Sequence, residues 1–195
     1  MLDLKGRKTV APFLKPVARV LSRLHFTPSI VTVIGLLVTV GGAVLIASDE
    51  LVWGASVAAV GVFLDALDGP LARHQGTATN KGAFLDTMSD RFGEVAIWIG
   101  LTVYLRAEQR LLVLCVVSLA FSLLVPYIRA HAELLGLEGK GGWMGRAERM
   151  ILILFGIGLV GLGIEIMEPV LWGFVVLTGF TVFQRIWKTW QQLDS

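Results

Sequence analysis

The feature that most constrains the fold is a run of 22 residues, 27–48, that contains no charged side chain. A helix needs about 20 mostly apolar residues to cross the hydrocarbon core of a bilayer. The composition agrees, because 55% of the residues are hydrophobic, only 16% are charged, and the mean hydropathy is +0.73. Soluble domains carry about 25% charged residues. The sequence therefore predicts an all-α integral membrane protein.

Five further segments have the same character, and they cover residues 51–64, 82–105, 111–128, 150–164 and 169–184. The first of them continues past residue 64 into Asp65 and Asp68, and the second is interrupted by charged residues. In the two segments around residues 64 and 86, the charges fall in one half of the segment, at a spacing of three or four. We expect six transmembrane helices in a single domain, residues 1–195, with the spanning bundle over residues 27–192.

The basic residues are distributed unevenly between the two sides of this predicted bundle. If the N-terminus is inside, 14 of the 17 Lys and Arg residues fall in inside segments, and the outside turns hold only Arg106 and Arg110. Lys and Arg are enriched in the cytoplasmic loops of membrane proteins. We therefore expect a multi-pass protein of the cell membrane with both termini in the cytoplasm.

A basic segment precedes the first span. In residues 8–25, apolar side chains recur every three or four residues, and Lys8, Lys15, Arg19 and Arg23 fill other positions. This pattern predicts an amphipathic helix that lies in the membrane interface against anionic lipid. The alternative is a cytoplasmic helix that packs on the protein itself.

Four aspartates near the second and third spans are the candidate chemical groups. Asp65 and Asp68 are three residues apart at the cytoplasmic end of one predicted helix, where they would share a face. Asp86 and Asp90 are four residues apart near the start of the next helix. The polar link of residues 74–81 is short, so the two helices are expected to be antiparallel neighbours. The four carboxylates can then converge at one depth.

Carboxylates that cluster in a low-dielectric setting must be protonated or bind cations. Oxygen ligands favour magnesium, manganese or calcium over zinc. Gly69 and Gly82 permit close approach of a ligand, and Arg73 is a suitable partner for a phosphate oxygen. We interpret this stretch as a metal site that holds a diphosphate. Two alternatives remain: structural salt bridges with nearby basic residues, and a path for a transported cation.

The residues from Asp65 to Asp90 read D-x2-D-G-x2-A-R-x8-G-x3-D-x3-D, and this string resembles the signature of the CDP-alcohol phosphotransferases. The resemblance implies a membrane enzyme of six transmembrane helices, usually a homodimer, that uses Mg²⁺ or Mn²⁺, with two ions expected. It implies that Asp65, Asp68 and Asp86 bind metal and that Asp90 is both a metal ligand and the general base. The residues implied to contact the CDP-lipid are Ser29, Ile30, Val31, Thr32, Gly69, Ala72, Arg73 and Thr79.

The resemblance also implies the reaction. Asp90 would take a proton from an acceptor hydroxyl, whose oxygen attacks the β-phosphorus of CDP-diacylglycerol and releases CMP. The second half of the chain is similar to family members whose acceptor is inositol phosphate, which implies that Arg129, Arg149 and Arg185 bind the acceptor phosphate. The alternatives are glycerol phosphate as the acceptor and, from a different class, a divalent-cation transporter. A nucleic-acid partner is not expected.

Overall fold

The structure is a computed structural model that describes residues 16–17, 19–139 and 141–193. These residues form helices joined by short turns, without a strand, so the all-α prediction is confirmed. Residues 16–17 and 19–23 are helical, and residues 8–15 and 18 of the predicted amphipathic segment lie outside the described residues. The helices that follow are α1 (Pro28–Ala47), α2 (Leu51–Asp65), α3 (Asp68–Gln75), α4 (Asn80–Tyr104), α5 (Gln109–Leu134), α6 (Arg146–Gly161) and α7 (Met167–Leu193).

Four stretches of the described chain are long and apolar enough to cross a membrane, as expected of a membrane protein. They are α1, α2 together with α3, α5, and α7. The other two long helices fall short for different reasons. α4 has 25 residues but carries five charged side chains, and α6 has only 16 residues. For α4 and α6, the six-span prediction stays a prediction.

The second predicted span is broken at the aspartates. α2 ends at Asp65 and α3 begins at Asp68, and the two residues between them, Ala66 and Leu67, keep helical backbone angles. Asp65 and Asp68 therefore come together as expected, although a two-residue turn interrupts the helix. Pro70 lies in the first turn of α3, where its missing N–H costs nothing, whereas in an unbroken helix it would leave the Ala66 carbonyl without a donor. The turn tightens at the break, where the Leu67 N–H donates to the Leu64 carbonyl at 3.0 Å.

Glycines bring the backbones of α1 and α2 into direct contact. A Cβ built on Gly42 would lie 2.7 Å from the Gly54 carbonyl oxygen and closer still to the Ala58 nitrogen, and a Cβ on Gly35 would lie 2.9 Å from the Asp65 nitrogen. Small residues allow this approach in membrane helices, where packing and interhelical hydrogen bonds replace the hydrophobic effect. The contact at Gly35 fixes the position of Asp65 relative to α1.

The remaining helices are arranged around a second packing centre. α1 packs against α2, α3 and α4, while α5 and α6 pack against α7, and α4 contacts α5. At this centre, Trp98 of α4 meets Phe174 of α7 edge-on, with ring centroids 4.8 Å apart, and both side chains are fully buried. Ile153 and Ile157 of α6 complete the same apolar cluster. The ends of α2, α3 and α4 that carry the aspartates are thus held by packed neighbours on both sides.

Two adjacent glycines of α1 allow a matched test of this packing. Gly42→Ala should lower the free energy of unfolding by about 1–3 kcal/mol, because its methyl group would overlap the backbone of α2. Gly41→Ala should leave it unchanged or raise it by up to about 1 kcal/mol, since a Cβ there meets nothing within 4 Å and alanine favours a helix. Thermal unfolding of both variants in detergent measures the difference, and equal effects would contradict the close contact of α1 and α2.

Candidate metal and substrate site

Three of the predicted aspartates come together where α2, α3 and α4 meet. Asp65 is the last residue of α2, Asp68 is the first residue of α3, and Asp86 is in the second turn of α4. One carboxylate oxygen from each lies within 4.8 Å of the other two. Asp65 and Asp68 are buried, and Asp86 is half-buried, so the cluster opens on the side of α4.

Asp90 lies one helical turn beyond Asp86 and is joined to the cluster through an arginine. Arg146, the first residue of α6, donates from Nη1 to Asp65 Oδ2 at 3.0 Å, and the same nitrogen contacts Asp90 Oδ1. Arg91 Nη2 lies 3.8 Å from Asp90 Oδ2. The fourth predicted aspartate is therefore near the other three, with a guanidinium group between it and Asp65.

Residues at the start of α1 contact α3, the helix that carries Asp68. The Thr32 hydroxyl lies 2.6 Å from Asp68 Oδ2 and 3.0 Å from the Pro28 carbonyl, and Val31 packs against Leu67 and Leu71. Two neighbouring residues predicted to contact the CDP-lipid, Ser29 and Ile30, are exposed at the first turn of α1. Of the four residues in this turn that were predicted to contact the CDP-lipid, Val31 and Thr32 are buried against other side chains of the protein.

The other predicted CDP-lipid contacts lie on α3 and at the start of α4. Arg73 is exposed on α3, and its Nη1 would lie 3.4 Å from a Cβ on Gly69, so the guanidinium group covers that glycine. Ala72 is half-buried beside it. Thr79 caps α4, where its hydroxyl oxygen accepts a hydrogen bond from the Gly82 N–H at 3.1 Å, and it is exposed to solvent.

The cluster has the donor set that a divalent cation requires. Its ligand atoms are carboxylate oxygens, which magnesium, manganese and calcium prefer. Oδ1 of Asp65 is buried and receives no hydrogen bond from the described residues. An unpaired buried carboxylate oxygen is costly, and the Arg146 guanidinium pairs with Asp65 Oδ2 and Asp90 rather than with this oxygen. The residues therefore fit a bound divalent metal ion.

The three arginines predicted to bind an acceptor phosphate gather around the segment that leads into α6. Arg129 is half-buried and pairs with Glu133 at 2.9 Å, and its backbone lies against Gly139. Arg185 is buried and donates to the carbonyl oxygens of Gly141 at 3.0 Å and Val125 at 2.7 Å. These arginines therefore have structural partners of their own, which the sequence pattern did not reveal.

Arg149 is the most buried of the three, with 1% of its surface exposed. Its Nε donates to Glu94 Oε1 at 2.9 Å, its Nη2 donates to Glu94 Oε2 at 3.2 Å, and its Nη1 donates to the Met144 carbonyl at 3.2 Å. Two residues of this region, Glu94 and Arg146, were absent from the predicted site. In the sequence, Glu94 stands out only as a charge in an otherwise apolar segment, four residues after Asp90. Arg146 stands out only as a basic residue at the start of α6, three residues before Arg149.

Comparisons with known proteins point to one family over most of the chain. The family model described as CDP-alcohol phosphatidyltransferase matches residues 25–183. The phosphatidylinositol phosphate synthase of Corynebacterium glutamicum is 35% identical over 192 residues, which cover 95% of this chain and 88% of the relative.

Two crystal structures of the Mycobacterium tuberculosis phosphatidylinositol phosphate synthase superpose closely on this chain, each with a TM-score of 0.84 and 34% sequence identity. The one with CDP-DAG bound covers 91% of this chain and 93% of its own. The one in complex with manganese and citrate covers 91% of this chain and 88% of its own. Because the family match and these alignments extend over most of its length, this chain belongs to the CDP-alcohol phosphatidyltransferase family.

Proposed function

We propose that this chain transfers the phosphatidyl group of CDP-diacylglycerol to an inositol phosphate, giving phosphatidylinositol phosphate and CMP. The observation that carries the proposal is the gathering of the Asp65, Asp68 and Asp86 carboxylates in one cluster, with Asp90 one turn away. The choice of acceptor is supported by relatives at about one-third identity that are phosphatidylinositol phosphate synthases, one of which has a crystal structure with CDP-DAG bound.

The four aspartates would hold two Mg²⁺ or Mn²⁺ ions, and the relative whose structure contains manganese supports this assignment. When bound, such ions neutralise the diphosphate and stabilise the charge that develops on the leaving phosphate. The chain itself fixes the ligands: the Thr32 hydroxyl orients Asp68, and the Gly35 contact of α1 fixes the backbone at Asp65.

The CDP group would lie against the exposed side of the cluster. Arg73 can donate to a phosphate oxygen while Gly69 beneath it leaves room for the diphosphate. The exposed residues at the first turn of α1, Ser29 and Ile30, would line the nucleotide pocket from one side, and Thr79 would line it from the other.

The acceptor would approach from the α6 side, where Arg129, Arg149 and Arg185 surround the segment that leads into that helix. A phosphorylated polyol needs such charge-assisted donors. Asp90 takes the proton from the attacking hydroxyl, and the oxygen forms a new bond to the β-phosphorus. The bond from that phosphorus to the bridging oxygen breaks, CMP leaves with the bonding electrons, and the proton stays on Asp90.

The proposal includes the topology predicted from the sequence. α4 and α6 would complete six spans in a single domain, residues 1–195, with residues 8–25 as an interfacial amphipathic helix. Val17, Val20 and Leu24 are exposed apolar side chains in the described part of that segment, as an interfacial helix requires. Both termini and the aspartate cluster would face the cytoplasm, and the protein would be a homodimer in the cell membrane, surrounded by membrane lipid.

The proposal is tested by measuring CMP release from CDP-diacylglycerol in detergent with Mg²⁺, with inositol 3-phosphate, glycerol 3-phosphate and inositol compared as acceptors. We expect CMP release that depends on inositol 3-phosphate. A preference for glycerol 3-phosphate would support the proposed transfer reaction but contradict inositol phosphate as the acceptor. The absence of acceptor-dependent CMP, together with Mg²⁺ flux in liposomes, would favour a cation transporter instead.

The role of Asp90 gives a second prediction. Asp90→Asn should lower kcat at least about 100-fold, because the general base is lost, while CDP-diacylglycerol still binds. Asp49→Asn is the matched control and should retain full activity, since Asp49 is exposed in the α1–α2 turn at φ 71°, a conformation that asparagine also accepts. Turnover and nucleotide binding measured on both variants check this, and a fully active Asp90→Asn protein would refute the assignment of the base.

A further inference from the structure

A second buried carboxylate lies one helical turn beyond Asp90. Glu94 is fully buried in α4, and its oxygens accept hydrogen bonds from residues on three helices. Arg91 of α4 donates from Nη1 at 2.5 Å, the Ser122 hydroxyl of α5 contacts Oε1, and Arg149 of α6 donates through both Nε and Nη2. Glutamate is almost never fully buried unless it is paired, and here its pairing joins α4, α5 and α6.

The pairing fixes the orientation of the Arg149 guanidinium. Because the two hydrogen bonds to Glu94 use Nε and Nη2, the plane of the group is set by the plane of the carboxylate. A third N–H donates to the Met144 carbonyl. The guanidinium has five N–H groups, and the hydrogen bonds to Glu94, Ser122 and Met144 use one on each nitrogen. The second N–H of Nη1 and of Nη2 would face, in a fixed direction, a phosphate that reached this buried group.

Stability alone does not require charged groups here. Replacing a buried ion pair by apolar side chains of similar volume is often neutral or stabilising, because the cost of removing two charges from water is large. The apolar cluster of Trp98, Ile153 and Phe174 already packs α4, α6 and α7 together. Because this buried Arg–Glu pair lies beside a proposed acceptor site, the orientation of the Arg149 guanidinium explains it better.

We propose that Glu94 is a positioning residue for the acceptor: it holds Arg149 so that its two remaining N–H groups bind the acceptor phosphate. This inference rests on the proposed function. The same ion pair of Glu94 and Arg149 fixes the first turn of α6. Arg146 lies in that turn, three residues before Arg149, and contacts Asp65 and Asp90. Glu94 therefore couples the acceptor phosphate to the aspartate that takes the proton.

The experiment compares Glu94→Gln with wild type by measuring the KM for inositol 3-phosphate, the KM for CDP-diacylglycerol, kcat and the melting temperature. Glutamine has the same size, but its amide NH₂ would face an N–H of Arg149, so the guanidinium is released from its fixed orientation. The acceptor KM should rise about tenfold or more while the donor KM changes less than about twofold. Glu168→Gln, which breaks the Arg110–Glu168 ion pair at 2.9 Å in another part of the chain, is the matched control and should change neither KM.

Other results of these measurements decide the role of Glu94. Equal increases of both KM values, or a lower kcat with both KM values unchanged, would overturn it. If Glu94→Gln does not fold, Glu94→Asp keeps the charge: an acceptor KM above wild type supports the role, and a wild-type acceptor KM overturns it. A wild-type protein that releases no CMP with any acceptor would refute the proposed function itself, which is a distinct outcome.

The double variant Glu94→Gln/Arg149→Met separates positioning from simple structural support. It removes both charges of the pair, and Arg91 keeps Asp90 as its partner, with Nη2 3.8 Å from Oδ2. If the pair only holds the helices together, the double variant should regain the acceptor KM and melting temperature of wild type, and the proposal is wrong. If Glu94 acts through Arg149, the acceptor KM stays at least as high as in the single variant even where the melting temperature recovers.

Discussion

The mutual repulsion of carboxylates in a low-dielectric site is the constraint around which this structure is organised. Asp65, Asp68 and Asp86 present oxygens within 4.8 Å of one another, and no helix bundle would hold three such charges without compensating cations. Arg146 pairs with Asp65 and the Thr32 hydroxyl donates to Asp68, while Asp65 Oδ1 receives no hydrogen bond from the described residues. The remaining demand is for a divalent cation, and this links the fold to the chemistry of a diphosphate.

The bundle meets this constraint with two kinds of contact. Close backbone packing, made possible by Gly35 and Gly42, brings α1 against α2 and places Thr32 beside Asp68. On the opposite side, the ion pair of Glu94 and Arg149 joins α4 to α6 and brings Arg146 to the cluster. The aspartates are therefore held from both sides by residues that do not themselves bind metal, as the ligands of metal sites generally are.

The convergence of the aspartates could be predicted because it depends on local rules. Spacings of three and four residues, a short link and the positive-inside pattern together place Asp65, Asp68, Asp86 and Asp90 at one end of two adjacent helices. The two-residue turn between α2 and α3 was not predicted, although Pro70 in the first turn of α3 fits it. A proline in an apolar segment is compatible with a kinked helix as well as with two helices, so the sequence alone does not decide between them.

The partners of the arginines could not be predicted because they depend on how each helix is rotated. Arg149 lies 55 positions from Glu94 along the chain, and Arg146 lies 81 positions from Asp65. No periodicity within one helix specifies which face meets a distant one. The sequence marked Arg149 and Arg185 as basic residues at helix ends, whereas the structure buries both of them against specific acceptors.

Manganese binding to the purified protein tests the aspartate cluster most directly. Free Mn²⁺ gives a sharp paramagnetic resonance signal that is lost on binding, so titration yields the affinity without any assay of turnover. The wild-type protein should bind Mn²⁺, and Asp68→Asn should weaken binding by at least about tenfold while Asp49→Asn does not. An Asp68→Asn protein that binds Mn²⁺ as tightly as wild type, or a wild-type protein that does not bind it, would contradict the proposed metal site.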